Sequence, residues 1–294
     1  MESEPRQSIL SAVQTSMEAG EDRWLVGETG ANIIGVTHAM HLPVPPIYAG
    51  DFGVPGLLME DCCISVDAPP STRTDLLKAA EADLVQSGTR MVLGTSVVGG
   101  DWAEDYAQQG YEPVTLYFSR AGLRDATSSS DVRQADASDV ADIVSASAVN
   151  RQILQHLNPR FWRPHPEADD RFGRWMQHSL TLSDRDMFVS LGDGEFRGYA
   201  ISQPATRLHF PSPHDISSTG VIDDYFHQTI ANPEGPSPRW ADGHALLEAA
   251  EMARQKRGNS AVLVVCPAAW RTKIALLEEA GYRKAITWFV KIFT

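Results

Sequence analysis

The sequence of 294 residues is 43% hydrophobic and 21% charged, a composition that is typical of globular proteins and excludes a fibrous or disordered chain. Its net charge of −13 is uneven: residues 1–121 hold 6 Lys and Arg against 17 Asp and Glu, and this acidity argues against nucleic acid and anionic membrane surfaces as partners. No apolar run approaches the roughly 20 residues that span a bilayer, and the acidic start lacks a signal-peptide pattern, so we expect a cytoplasmic protein.

The first 121 residues begin with one predicted helix, at about Gln7 to Glu18, and continue with short apolar runs typical of strands. Cys62 and Cys63 are adjacent and far in sequence from Cys266, a spacing that predicts neither a disulfide framework nor a metal site. We expect the three thiols to be small buried side chains, with a covalent role for Cys266 as the less favoured alternative. The nine histidines are also dispersed, so we expect no metal.

A segment of the first half recurs in the second half. It comprises L-L-x-A-A-E at 76–81, Gly88 and V-L at 92–93, and each part returns 170 positions later. A match over this many positions indicates duplication rather than chance. We predict a truncated first repeat at 1–121, a serine-rich linker at 122–130 and a complete second repeat at 131–294.

The second repeat alternates between strand and helix patterns, and Asp193-Gly194 is typical of a hairpin turn. The predicted elements are an opening strand and helix cap at 132–140, helices within 150–187, a strand at 221–228, a loop at 239–243, a helix from about His244, a strand at 261–266 and a helix at 272–280.

This order of elements resembles the core of the GNAT superfamily of acyl-CoA-dependent N-acetyltransferases, in which a glycine-rich turn and a helix beginning A-L-L follow the central strand. The resemblance covers about residues 131–294. It implies an α/β (α+β) fold of two GNAT-like repeats, each with a mixed, mostly antiparallel central sheet flanked by helices. It also implies transfer of acetyl from acetyl-CoA, as co-substrate, to a primary amine, with a small-molecule amine favoured over a protein.

The resemblance places the coenzyme in the second repeat. Members of the superfamily bind its pyrophosphate through a loop written Q/R-x-x-G-x-G/A, at a helix start where backbone N–H groups have no intrahelical partner. A plain capped helix start is the alternative interpretation. The matching loop of the first repeat, 69–74, has two prolines and no glycine, so we expect no coenzyme there. The implied binding residues are Arg239, Ala241, Asp242, Gly243, His244 and Ala245.

On the central strand, the resemblance implies that Asp224 is the general base, because an amine must lose its proton before it attacks a thioester. Asp223 is the second candidate, since neighbouring strand residues point to opposite faces unless a β-bulge intervenes. A solvated strand edge or a structural salt bridge is the alternative for both carboxylates. Backbone groups of Phe226, His227 and Gln228 are implied to pair with the pantetheine arm of the coenzyme.

Two positions depart from the superfamily pattern. Leu277 stands where many members carry a tyrosine that protonates the leaving thiolate, and Trp270 replaces an asparagine. Water, Tyr225 or Tyr282 could supply the proton instead. Two other functions therefore stay open: a GNAT-fold binding or regulatory protein without turnover, and an acyltransferase that uses a longer acyl-CoA.

The helical segment 150–187 is implied to form a wall of the acceptor pocket, and its aromatic residues suit a partly apolar amine. We predict Trp162, Trp175 and Tyr225 as pocket residues, although aromatic residues at helical spacing are also typical of a core. The expected partners are the small-molecule amine and, if the chain is a homodimer, a second copy of itself.

Overall fold

The computed structural model describes residues 3–20, 22–123, 129, 131–206, 210, 214–235 and 240–293. Most of the predicted linker and Arg239 lie outside these residues. Within them, twelve strands form one continuous sheet, and seven α-helices accompany it. Among the described helices, each is too short or too polar to cross a lipid bilayer.

In the described part of the first repeat, one helix precedes the first strand, as predicted. The elements are α1 (Ser3–Ala19), β1 (Asp22–Thr29), β2 (Asn32–His41), β3 (Gly56–Leu58), β4 (Cys63–Ile64), α2 (Thr72–Gln86), β5 (Met91–Val97), α3 (Trp102–Gln108) and β6 (Glu112–Ala121). Helix α2 buries Leu77, Ala80 and Leu84, whose spacing of three and four residues forms one apolar stripe.

The second repeat has the expected order of strands and helices. Its hairpin turn, Asp193-Gly194, has positive φ at both residues, as a two-residue turn of this kind requires, which confirms the prediction. The elements are β7 (Val132–Gln134), α4 (Val140–Leu157), α5 (Ala168–Ser179), β8 (Asp186–Gly192), β9 (Glu195–Pro204), β10 (Thr219–His227), α6 (Trp240–Lys256), β11 (Ala261–Pro267), α7 (Arg271–Glu279) and β12 (Arg283–Ile292).

The two repeats share a single sheet. Its strand order is β1-β2-β3-β5-β12-β6-β11-β10-β9-β8-β7, with β4 paired to β2. The last strand of the first repeat, β6, lies between β11 and β12, while β12 lies between β5 and β6. The predicted mixed, mostly antiparallel fold class is confirmed, because only β3–β5 and β10–β11 pair in parallel within the described sheet. Each repeat therefore completes its sheet with a strand of the other.

Corresponding elements of the repeats have matching bounds. Strand β11 begins and ends 170 positions after β5, and β12 begins and ends 171 positions after β6. Strand β9 likewise begins and ends 163 positions after β2. Three strands of the first half thus have a counterpart of equal length in the second half, at offsets of 163 to 171 positions.

Ion pairs join the repeats at two equivalent places. On β6, Arg120 lies 3.1 Å from Glu251 of α6, and on β12, Lys291 lies 2.9 Å from Glu81 of α2. The hydroxyl of Tyr282 also donates to Glu251, at 2.6 Å. We call these contacts the Glu251 clasp and the Glu81 clasp. Each clasp fastens the last strand of one repeat to a helix of the other.

Two expectations need correction. Helix α6 begins at Trp240 rather than at about His244, so residues 240–243 form its first turn instead of a loop. This turn is anchored in the core: a Cβ on Gly243 would lie 2.9 Å from a methyl group of Leu276, and the Tyr225 hydroxyl donates to the Gly243 carbonyl.

The second correction concerns the thiols. Cys63 is exposed, whereas Cys62 and Cys266 are buried as expected. Adjacent residues of an extended chain point to opposite faces, so a neighbouring pair cannot both face the same core.

Candidate active site

The candidate site lies where strands β10 and β11 part. The two strands pair in parallel only from Thr219 and Ala261 to Ile222 and Val264. Directly after Ile222, the register between β10 and β9 shifts, which makes Asp223 the extra residue of a β-bulge. Because of this bulge, the side chains of Asp223 and Asp224 can both reach one region of the surface.

Neutral hydrogen-bond donors hold the carboxylate of Asp224. Its Oδ1 accepts from the Tyr199 hydroxyl at 2.8 Å and from the Asn150 side-chain amide at 3.3 Å. Burial raises the pKa of Asp224 above its ordinary value, while the Tyr199 hydrogen bond and the positive charges of Lys273 and Arg151 act in the opposite direction. A carboxylate with a raised pKa is a better proton acceptor than an ordinary aspartate.

Asp223 has a different environment. Its side chain is exposed to solvent and accepts a short hydrogen bond from the Gln203 amide. Although part of its surface is open to solvent, protein atoms that displace water from the carboxylate raise the pKa of Asp223 to about 7. The negative charge of Asp224 adds to the shift, and Arg185 partly opposes it. The two aspartates therefore act on each other electrostatically, as expected for carboxylates beside one bulge.

A tyrosine of the first repeat faces the same site. Tyr48 lies between β2 and β3, and its ring centroid is 5.5 Å from that of Trp162 in the second repeat. Burial and the charge of Asp224 raise the pKa of the Tyr48 hydroxyl, and Arg151 opposes them. Sequence reasoning missed Tyr48, because the segment 42–55 shows no motif and only the fold brings it to Asp224.

The predicted pocket residues separate in the structure. Trp162 lies beside Tyr48, whereas Trp175 is 46% exposed and stacks under the guanidinium of Arg185, 4.8 Å from its ring centroid. The Tyr225 side chain is fully buried in the core of the second repeat. Because its hydroxyl faces helix α6 rather than the surface, Tyr225 is a packing residue at this position.

The predicted phosphate-binding residues lie at the start of α6. The backbones of Ala241, Asp242 and Gly243 belong to its first turn, where helix N–H groups have no intrahelical acceptor. His244 is partly buried, its Nε2 lies 3.4 Å from the Leu276 carbonyl, and Ala245 follows it on the helix.

The implied strand residues end at a turn. Phe226 and His227 pair with β9 through Tyr199 and Gly198, and Gln228 begins a short 3-10 helix. The side chains of Phe226 and His227 are buried, and that of Gln228 is exposed. The strand thus keeps an extended backbone up to His227, beyond the end of its pairing with β11.

A buried lysine occupies the space between β10 and β11. Lys273 on α7 donates from Nζ to the carbonyl oxygen of Tyr225 at 2.8 Å, and only 4% of the residue is exposed. Burial lowers the pKa of Lys273, although Cys266 and Asp224 oppose this shift. Sequence reasoning missed Lys273, although it is the charged residue among the buried positions of α7, the others being Thr272, Leu276 and Leu277.

The other candidates for chemistry lie elsewhere. Tyr282 donates to Glu251 within the clasp, and burial raises the pKa of the Cys266 thiol to about 12. Trp270 is fully buried and donates to the Ile230 carbonyl at 2.9 Å. In the described residues, His, Cys, Asp and Glu form no group of three that could hold a metal ion.

No protein-family model and no curated protein matches the sequence. Among solved structures, a GNAT-family acetyltransferase from Colwellia psychrerythraea is 9% identical, with a TM-score of 0.53 over 97% of both chains. A GCN5-related N-acetyltransferase from Sphaerobacter thermophilus is 14% identical, with a TM-score of 0.50 over 90% of this chain and 82% of that one. These two likenesses show that the chain has the GNAT fold.

A tandem GNAT protein from the clavulanic acid biosynthesis pathway is also similar, at 10% identity and a TM-score of 0.48, over 92% of this chain and 83% of that one.

Proposed function

We propose that the chain is an N-acyltransferase, which transfers acetyl from acetyl-CoA to a primary amine of a small molecule at the second repeat. The observation that carries this proposal is the position of Asp224. It lies on the central strand of a GNAT fold, beside a bulge, where β10 leaves its parallel partner. Among the described residues, the donors to its carboxylate are the uncharged side chains of Tyr199 and Asn150, so it can take up a proton without breaking an ion pair with them.

In this proposal Asp224 is the general base. Alkylamines are mostly protonated at neutral pH, and an ammonium group cannot attack a thioester. A carboxylate with a raised pKa attracts the ammonium and accepts its proton, which leaves the neutral amine. Once that proton has passed to water, the carboxylate accepts the second proton as the N–C bond forms. The rate should therefore rise with pH until Asp224 is deprotonated, at a higher pH than for an ordinary aspartate.

The start of α6 suits the phosphates of the coenzyme. Gly243 packs so closely against Tyr225 and Leu276 that a Cβ would not fit, and this holds the first turn of α6 against the end of β10. The N–H groups of Ala241 and Asp242 would bind the pyrophosphate there. The backbone of β10 beyond Ile222 would pair with the pantetheine arm. Acetyl-CoA supplies the activated acyl carbon.

The acceptor amine would bind between the repeats. The Oδ1 of Asn150 is buried beside Asp224 and accepts no hydrogen bond from a described residue. An ammonium group placed there would satisfy this oxygen and the carboxylate together. Tyr48 and Trp162 would contact the apolar part of the amine. The acidic first repeat would attract a cationic amine toward this place.

Thiol release tests the proposal directly. The full chain is incubated with acetyl-CoA and each of a panel of primary amines, and the free coenzyme thiol is measured colorimetrically. We expect release that depends on at least one amine and that saturates with acetyl-CoA. Calorimetry with acetyl-CoA provides the control, and neither binding nor release at millimolar acetyl-CoA would contradict the proposal.

One observation favours a second candidate, a binding protein without turnover. Lys273 holds the Tyr225 carbonyl, which lies on the stretch of β10 with which the arm of the coenzyme would pair. If Lys273 never leaves that carbonyl, the arm cannot take its place. This candidate predicts no acetyl-CoA binding by the wild type and tight binding after Lys273→Ala, which calorimetry would detect.

A further inference from the structure

The environment of Lys273 is unusual for a lysine. Only 4% of the residue is exposed, and its Nζ makes one hydrogen bond to a described residue, the Tyr225 carbonyl. The Nζ also lies 5.4 Å from the ring centroid of Tyr225 and 5.5 Å from that of Trp270. Lysine is almost never fully buried unless its charge is paired, so this position calls for a reason.

The first repeat shows what the same position needs for folding. Trp102 on α3 precedes Lys273 by 171 positions, the offset that also relates β6 to β12. Its indole Nε1 donates to the Cys62 carbonyl at 3.0 Å. Cys62 precedes Tyr225 by 163 positions, the offset that relates β2 to β9. In both repeats, then, the helix after the parallel strand donates to an equivalent backbone carbonyl, that of Tyr225 on β10 and that of Cys62 directly before β4.

The charge of Lys273 is therefore what distinguishes the second repeat from the first at this position. Trp102 satisfies the carbonyl with an uncharged group, so the fold at this place requires a donor but no charge. A buried ammonium is less favourable than a buried indole because it loses far more hydration. The second repeat therefore carries a cost that the first repeat avoids, and a chemical role for the proton or the charge explains it.

Two titratable groups act on the Lys273 ammonium, the Asp224 carboxylate on β10 and the Cys266 thiol on β11. The ring of Tyr225, rather than its hydroxyl, lies beside the Nζ. Burial outweighs the attraction of Asp224 and Cys266 and lowers the pKa of Lys273. A lysine of this kind releases its proton more readily than an exposed one, which suits a general acid near neutral pH.

We propose that Lys273 is the proton donor for the coenzyme thiolate that the acyl transfer releases. This inference rests on the proposed function. After the ammonium has passed one proton through Asp224 to bulk water, the neutral amine nitrogen forms a bond to the thioester carbon, and Asp224 takes the second proton that the nitrogen loses. The carbon–sulfur bond breaks, its electron pair goes to sulfur, and sulfur takes a proton from the Lys273 Nζ. The proton on Asp224 then restores Lys273, directly or through water, so the enzyme returns to its starting state.

Two substitutions of Lys273 distinguish a role of its proton from a role of its charge. Lys273→Met removes both, and Lys273→Arg keeps a charge that does not give up its proton near neutral pH. We expect both to lower kcat about 100-fold, with KM for acetyl-CoA changed far less. The wild-type rate should also fall at high pH, as Lys273 loses its proton, and this fall should be absent in Lys273→Met.

Trp102→Phe is the matched control, because it removes the equivalent hydrogen bond in the first repeat. It should lower the thermal midpoint and leave kcat within about twofold. A Lys273→Met variant that binds acetyl-CoA and keeps kcat within threefold of the wild type would overturn the inference, and so would a fully active Lys273→Arg variant.

A second measurement does not depend on turnover. A lowered pKa in the folded state means that the buried charge destabilises the fold below that pKa, and that the penalty fades as pH rises toward the ordinary lysine value of 10.5. Lys273→Met should be more stable than the wild type at pH 7, and the difference should shrink toward pH 10. A constant difference would show an unshifted lysine and overturn the inference. Absence of wild-type turnover would instead contradict the proposed function alone.

Discussion

The acidic pairs of the two repeats stand at equivalent places and have different partners. In the first repeat, Glu60 is bound by His214 at 2.9 Å and Asp61 by the Nδ1 of His38 at 2.9 Å. In the second repeat, Asp224 is bound by the uncharged side chains of Tyr199 and Asn150. Imidazole partners can pair with a carboxylate as ions, whereas hydroxyl and amide donors leave the carboxylate without a countercharge in contact.

One position of the repeat thus serves two different purposes. The Nε2 of buried His38 also lies 3.4 Å from Asp22, so this imidazole joins two carboxylates and links β1 to the segment before β4. The contacts of His38 with Asp61 and Asp22 therefore stabilise the first repeat. In the second repeat, burial without an ion in contact raises the pKa of Asp224, which prepares it to exchange a proton.

We expect the largest change in kcat on substitution of Asp224 and a far smaller one on substitution of the equivalent Asp61. Asp224→Asn should lower kcat at least 100-fold, because the amide cannot accept the proton of the amine. The equivalent Asp61→Asn should leave kcat within about twofold and lower the thermal midpoint, because His38 loses a charged partner. Steady-state thiol release and thermal unfolding of both variants measure the contrast.

The pH profile distinguishes a base from a packing residue at Asp224. The rising limb of kcat/KM in the wild type should follow the raised pKa of Asp224 and should disappear in Asp224→Asn. If Asp61→Asn abolished turnover as fully as Asp224→Asn, the functional contrast between the pairs would be wrong. Equal loss of thermal stability in both variants would point the same way.

The sequence alone predicted the order of elements because each has a local signal. Apolar spacing predicted strand β11 and helix α7 within one residue at each end, and Asp193-Gly194 predicted its hairpin. The strand predicted at 221–228 contained Asp224, and the resemblance implied that this strand is the central one. The helix start at Trp240 was missed, because contacts of Gly243 with the distant Leu276 fix that turn.

Long-range features had no local signal. The exchange of β6 and β12 between the repeats depends on pairing across about 170 residues, which no motif shows. Tyr48 reaches Asp224 only after this assembly. Lys273 is the exception. The Gly-Tyr pairs at 110–111 and 281–282 are 171 positions apart and align Lys273 with Trp102, so a charge opposite an indole could have been noticed from the sequence.

The Glu251 clasp and the Glu81 clasp are places at which the two repeats agree. Glu251→Gln and Glu81→Gln each remove the charge that binds Arg120 or Lys291. Because hydrogen bonds to charged groups contribute about 1.5–3 kcal/mol, we expect each variant to lose about 2 kcal/mol of unfolding free energy. The two losses should agree within about 1 kcal/mol.

Denaturant unfolding of the single and double variants measures these losses. The clasps share no side chain, so the double variant should lose the sum of the single effects. A large loss in one clasp and none in the other would contradict their equivalence, and would show that one repeat holds its exchanged strand by packing alone.

The smallest effect concerns His214, which brings the second repeat to the acidic pair of the first. The hydrogen bond to Glu60 raises the pKa of His214 above 6.5, so its contribution to stability is fully present below that pH and is lost as pH rises through the raised value. Because the side chain is 48% exposed, the contribution should stay below about 1 kcal/mol. The free energy of unfolding of His214→Gln should therefore fall below the wild type at pH 5.5 and match it at pH 9. A difference that grows toward pH 9 would contradict an ion pair and leave packing as the role of His214.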